Sequence, residues 1–369
     1  MHNKFSSPNS LWPALGILFV AAITLFFTLY KPEKEIGDSQ LQPNPVWDGR
    51  WIQLQPFNIP RRALAAVTAN DYLYVIGGVD QQGNYVREVE FTRILEDGRL
   101  APWKTTSPLE VGRFYLAAVT ANGYLYAIGG GAGTLGDENQ PVNTVEKAKI
   151  LPDGSLGPWQ STLALKTPRR GLKALASQSH IYAIGGYNGV FLKSTEHAAI
   201  SPSGELTPWQ IDPQESSMDR YIHSAALYDS YLYVLGGHVQ KAVSLGYGDV
   251  EMATIQSDGS LSPWTVEQSR LVVPRFIASA FAKDHFLYIL GGHNGAQRLN
   301  SVEFATITRN GHIGNWQLTT PLNFARSAAA VVTHHDFIYV LGGIGDVQVL
   351  NSVEMTKQLI NGHLGLYRR

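Results

Sequence analysis

Six times along the chain a tyrosine-led apolar run stops at two glycines: YVIGG at 74–78, YAIGG at 126–130 and 182–186, YVLGG at 233–237, YILGG at 288–292 and YVLGG at 339–343. The leading glycines, Gly77, Gly129, Gly185, Gly236, Gly291 and Gly342, lie 51 to 56 residues apart. Self-similarity at a period near 50 means one supersecondary unit packed repeatedly, as in a propeller or array, rather than independent domains. A second phrase travels with the first. EDGRLAPW (96–103) returns as PDGSLGPW, PSGELTPW, SDGSLSPW and RNGHIGNW, ending at Trp159, Trp209, Trp264 and Trp316, and finally as INGHLGLY, ending at Tyr367. Its Asp-Gly core is a hairpin turn, because both turn positions accept positive φ.

The spacings separate rigid from free segments. Each tryptophan, beginning with Trp51, precedes the next double glycine by 26 or 27 residues. From Glu90, Glu146, Glu196, Glu251, Glu303 and Glu354 to the following aromatic is always 13 residues, whereas the stretch from glycine to glutamate varies from 11 to 17. One connection per unit is therefore free to change length. Four strands fit each unit: a small apolar one such as ALAAV (63–67) or SAAAVV (327–332), the run into Gly-Gly, the strand carrying the glutamate, and one starting at the tryptophan. The Ala-rich strand suits the crowded axis, and the tryptophan suits the widening gap between outer strands, where a large ring buries most area. Proline before it is tolerated at a strand's start. The expected fold is all-β: a six-bladed propeller of four-stranded antiparallel blades spanning 47–369, in which WIQLQPF (51–57) completes the last blade.

The N-terminus is different in kind. No charged residue occurs from Phe5 to Tyr30, and the apolar stretch 11–30 is long enough for a transmembrane helix. It ends in FFTLYKP, a poor cleavage site, so an uncleaved signal anchor is expected. That divides the chain into a tail (1–10), the anchor (11–30), a proline-containing polar linker (31–46) and the propeller (47–369), a single-pass membrane protein with the propeller outside the cytoplasm. Lys4 on one side and Lys31 and Lys34 on the other leave the orientation open. A formal net charge of −1 argues against nucleic acid, and the absence of cysteine excludes disulfides and thiolate chemistry. The eleven histidines show neither His-x-His nor His-Glu-x-x-His spacing, so neither a metal nor any other cofactor is expected.

Double glycine, hydrophobic run, third strand and spaced tryptophan together resemble the kelch repeat, over about residues 47–369. Where that family usually carries a third-strand tyrosine, this chain has Thr92, Ala148, Ala198, Ala253, Ala305 and Thr356, which marks it as resembling a bacterial-type variant. The resemblance implies a monomeric propeller that binds a protein or an anionic glycan. It also implies two enzymatic relatives. A copper oxidase such as galactose oxidase needs a cysteine this chain lacks. A sialic-acid mutarotase or epimerase needs only a carboxylate and arginine clamps, so an isomerase is the alternative to a non-catalytic binding module.

Sixteen residues before each leading glycine stands an arginine: Arg61, Arg113, Arg169, Arg220, Arg275 and Arg326. Strand direction puts these arginines and the six variable loops at one mouth of the channel, and variable loops on a rigid scaffold are where recognition concentrates. Two readings stand side by side. The arginines form a ring for an anion, which bidentate guanidinium geometry suits, or each pairs internally with its blade's glutamate. Lys173, where the other copies have Ala65, Ala117, Ser224, Ser279 and Ala330, is a candidate channel cation. Asp80, Asn188, His238, His293, Asn294 and Asp346 are candidate loop contacts, His223 is expected to be a packed core residue, and no residue is expected to be catalytic.

Overall fold

The computed structural model describes residues 46–133, 139–238 and 248–368. The anchor expected over 11–30 and most of the linker lie outside them. Among the described residues no helix is long and apolar enough to cross a membrane.

Blade 1 runs through Ala65–Ala69, Tyr72–Ile76, Val89–Arg93 and Lys104–Thr106, hydrogen-bonded in that order and antiparallel throughout. Val67, Tyr74 and Phe91 stand opposite one another across its first three strands. Five such four-stranded blades follow chain order. The sixth contains Ala330–His334, Phe337–Leu341 and Val353–Gln358. Its outer edge is composite: Ile52–Leu54 pairs with Met355–Val353, and Leu364–Arg368 pairs with the end of the same strand. An early strand thus completes the last blade, so the outer edge of Val353–Gln358 does not lie open.

Why these residues recur is visible where blades meet. The tyrosine of each YxxGG run is buried mid-sheet, and its hydroxyl donates to the carbonyl of the turn glycine in the next blade. Tyr74 reaches Gly154 at 2.8 Å, Tyr126 reaches Gly204 at 2.7 Å, and so on until Tyr339 reaches Gly98 at 2.8 Å. The two most regular phrases of the sequence are therefore partners. Most tryptophans make a comparable link, their indole N–H donating to the previous outer segment, as Trp159 does to the Ser107 carbonyl at 2.8 Å. The rings also fill the cores between blades: Trp159 packs with Tyr74, Val89 and Phe91.

Nearer the axis the double glycine lets backbones touch. The second glycine's N–H donates to the neighbouring blade's arginine carbonyl, Gly78 to Arg113 at 2.8 Å and finally Gly343 to Arg61 at 3.0 Å. A Cβ on Gly77 would lie 2.6 Å from that same Arg113 carbonyl oxygen.

The first strands begin later than the sequence pattern suggests, at Ala65 rather than Ala63 and at Ala330 rather than Ser327. The intervening residues Ala63, Tyr115, Ile222, Ile277 and Ala328 have φ between 48° and 53°, and Gly171 has φ 62°. That bend turns six backbone amides toward the axis. Ala63 N–H donates to Ala328, Tyr115 to Ala63, Gly171 to Tyr115, Ile222 to Gly171, Ile277 to Ile222 and Ala328 to Ile277, at 2.8–3.3 Å. This is a closed circle of hydrogen bonds around the axis, and it satisfies polar groups that a central strand would leave buried and unpaired.

Candidate binding site at the mouth of the channel

The six arginines open this region. Each lies two residues before the circle, and each is at most 2% exposed. One guanidinium nitrogen donates to the leading glycine's carbonyl sixteen residues on, as Arg169 does to Gly185 at 2.8 Å and Arg220 to Gly236 at 2.7 Å. The other side pairs with the blade's glutamate: Arg61 with Glu90 at 2.6 Å, Arg169 with Glu196 and Arg220 with Glu251 at 2.9 Å, and Arg326 with Glu354 at 2.5 Å. Arg113 pairs with Glu146 and Arg275 with Glu303 in the same way.

The glutamates also accept backbone N–H groups from the chain arriving from the preceding outer strand. Asn58 and Ile59 donate to Glu90 at 2.6 and 3.0 Å, and Lys166 and Thr167 to Glu196 at 2.7 and 3.0 Å. Burial lowers the pKa of Arg61, Arg113, Arg169, Arg275 and Arg326, and the paired carboxylate pulls each back up. The guanidiniums thus lie inside the blades rather than at the mouth, because the pair is the bracket joining an incoming chain to its third strand.

The residues just after the arginines stand where the channel opens, Arg62, Arg170, Tyr221 and Phe276 half-buried and Phe114 and Ser327 buried. Arg62, Phe114, Arg170, Tyr221, Phe276 and Ser327 bridge to Val79, Gly131, Tyr187, His238, His293 and Ile344, the residues just after the double glycines. The result is a continuous belt of rings. Tyr85 stacks on Phe114 at 4.8 Å, Phe114 meets Tyr115 at 5.1 Å, and Tyr115 meets Tyr221 at 6.2 Å. Tyr221 touches both Tyr187 and Phe191 at 5.5 Å. Phe191 then leads through His238 and Phe276 to His293 at 6.0, 5.1 and 5.3 Å.

Arginines are set into this belt. The Arg170 guanidinium lies 4.9 Å from the Tyr187 ring centre and 6.0 Å from that of Tyr221, within cation–π range. Arg62 and Arg298 line a hollow of about 330 Å³ together with Phe114, Tyr115, Phe276 and His293. Burial raises the Tyr115 phenol well above its ordinary value against the opposing pull of Arg62 and Arg170, so it is a neutral donor.

Below this bowl the amide circle narrows the channel to a neck of about 30 Å³, and beyond it the channel widens to about 360 Å³. Lys173 lines both spaces. Its pKa is lowered by burial to about 8. The unfolded chain therefore binds the extra proton between about 8 and the ordinary lysine value near ~10.4. Stability rises with pH across that window. We expect Lys173→Met to melt above the wild type at pH 7, with the gap closing as pH rises from 8 to 10. A constant gap in parallel melts would refute this. His223 is 1% exposed, and burial with the Lys173 and Arg220 charges lowers its pKa to about 3, so it is neutral and packed beneath Gly185, at the register of Leu64, Leu116, Leu172, Ala278 and Ala329.

The candidate loop contacts divide. Asp80 accepts from Gln82 and Asn84 of its own loop, Asn188 from Val190, and Asn294 from Ala296 and Gln297. These side chains hold loops. His238 and His293 belong to the belt, and the exposed Asp346 lies 3.4 Å from Arg298. Sequence reasoning passed over Arg62, Arg170, Tyr115, Tyr221 and Phe276. The available signal was a large, unlike residue beside an invariant arginine, where a purely structural position would repeat.

Comparison with known proteins agrees with this architecture. A family model described as "Kelch motif" matches residues 112–147. Beta-scruin of Limulus polyphemus is 30% identical over 140 residues, covering 37% of this chain and 15% of the relative. Alpha-scruin of the same organism is 25% identical over 280 residues, covering 74% of this chain and 28% of the relative. The Kelch repeat and BTB domain-containing protein 1 of Camelpox virus (strain CMS) is 28% identical over 212 residues, covering 54% and 35%. This chain thus spans 15% to 35% of the length of these relatives. The solved structure of YjhT superposes with a TM-score of 0.67 at 14% identity over 86% of this chain and 99% of that one, a likeness of fold. The described residues form a six-bladed β-propeller. The Kelch motif match and the similarity to kelch-repeat proteins together support a kelch-repeat propeller.

Proposed function

We propose that this propeller is a non-catalytic binding module, held at a membrane by segment 11–30, that takes an anionic protein or glycan at its mouth. The aromatic belt set with Arg62, Arg170 and Arg298 is the observation that carries this reading. Tyr, Phe and Arg are the residues that dominate binding energy in interfaces, where rigid rings bury area and arginine grips carboxylates. A carbohydrate isomerase would need a free carboxylate to move protons, whereas the six repeat glutamates are each held by an arginine.

The test uses an array of acidic, aromatic-containing peptides and sialylated glycans against the soluble chain from Gln42. Arg62→Ala combined with Arg170→Ala is expected to weaken the best binder about a hundredfold or more, two charged contacts of roughly 1.5–3 kcal/mol each, with little change in melting. Equal binding by the double variant would overturn the reading, as would acceleration of sialic-acid anomer exchange in NMR. The anchor adds a plain expectation: the full chain fractionates with membranes and the Gln42 version does not.

A further inference from the structure

The face opposite the mouth carries the hairpins between first and second strands. There the first and last blades meet, with the Thr68 hydroxyl donating to the Thr333 carbonyl at 3.0 Å. Beside this contact Asp71, from the blade 1 hairpin, faces His334 and His335 from the blade 6 hairpin. His334 Nε2 is 3.1 Å and His335 Nε2 is 4.0 Å from Asp71 Oδ1, and one ligand atom from each of the three residues lies within 4.8 Å of the others. The two imidazole ring centres are 4.2 Å apart and their planes are inclined at 62°.

We propose that Asp71, His334 and His335 form a site for a divalent transition metal of the zinc class, fastening the first blade to the last. Two imidazoles and a carboxylate are ligands that zinc, nickel and copper prefer over calcium or magnesium. With bonds near 2.1 Å, tetrahedral ligands stand about 3.4 Å apart. The His334–Asp71 separation already fits, and His335, 76% exposed, swings the remaining distance without displacing packed groups. His334 is 15% exposed and anchored, while Asp71 is 55% exposed, so a fourth position faces solvent and takes water. Glu96, Asp97 and Arg93 line the same hollow, leaving the surroundings net negative. Positive φ at Asp71 (62°) and His335 (48°) is that of the tight turns joining first and second strands, which places both residues at the tips of adjacent hairpins. Local spacing rules miss such a site, because its ligands come from opposite ends of the chain and meet only when the ring closes.

The experiment titrates untagged, EDTA-treated full-length chain with zinc chloride by calorimetry, and with cobalt(II) by visible absorption. We expect one saturable site with micromolar affinity and a melting temperature raised by several degrees at a hundredfold excess over Kd, as binding to the folded state alone requires. Cobalt should give the intense d–d band of a four-coordinate ion. Asp71→Asn, which keeps an oxygen and the fold, and His335→Ala, on an exposed side chain, are each expected to weaken zinc at least tenfold and remove the thermal shift. His334→Ala should do the same. Absence of saturable binding below 100 µM zinc (about a hundredfold above the expected Kd) overturns the proposal, as does binding that Asp71→Asn and His335→Ala leave unchanged.

Discussion

Arg275→Ala is expected to destabilise the propeller by about 3–5 kcal/mol, the cost of stranding a buried charge. Arg275 and Glu303 are both fully buried. The guanidinium also donates to the Gly291 and Ser301 carbonyls at 2.9 and 3.0 Å, and Glu303 accepts from Val272 and Val273 at 2.7 and 3.1 Å. Removing the arginine leaves a carboxylate with two amide donors and no cation in a dry site. The double replacement Arg275→Met with Glu303→Leu separates two effects. An isolated buried ion pair is often replaced by apolar groups at no cost. Here the swap would orphan the Gly291 carbonyl and the Val272 and Val273 N–H groups, the Ser301 carbonyl keeping the Gly291 N–H, and at about 1–3 kcal/mol for each orphaned group the double variant should remain clearly less stable than the wild type. Urea unfolding of the three proteins checks this, and a double variant as stable as the wild type would mean that the bracket's backbone contacts contribute nothing.

Gly77→Ala is expected to be almost as damaging, by about 2–5 kcal/mol. Part of that is conformational: Gly77 has φ +60°, where an L-residue pays about 1–2 kcal/mol. The rest is collision, since the new Cβ would sit 2.6 Å from the Arg113 carbonyl oxygen and 2.7 Å from Leu116 Cδ2. That carbonyl belongs to the next blade and already accepts the Gly78 N–H, so it cannot withdraw without opening the joint. Gly123→Ala is the control. Its φ is +79° but nothing lies within 4 Å of the added Cβ, so it should pay only the conformational part. Equal melting of the two alanine variants would show that blade-to-blade contact is not what the double glycine serves.

The repeat made much of this molecule legible. Tyr74, Gly77 and Trp103 recur because each contact they make is repeated around the ring, so spacing alone reveals the strands, the turns and the blade count. The arginine and glutamate series were equally visible, but their register did not say which way the guanidiniums turned. That depended on the bend at Ala63 and its equivalents, which turns each backbone toward the axis while the arginine stays buried inside its blade.

The mouth and the seam are another matter. Arg62, Phe114, Arg170, Tyr221 and Phe276 occupy one register with unlike residues, so periodicity is silent about them. Asp71 is an ordinary turn residue and His334 an ordinary strand end until the last blade reaches the first. A repeating sequence specifies what each unit needs in order to pack against its neighbour. The chemistry of a shared surface is decided only when the closed ring brings the unlike residues together.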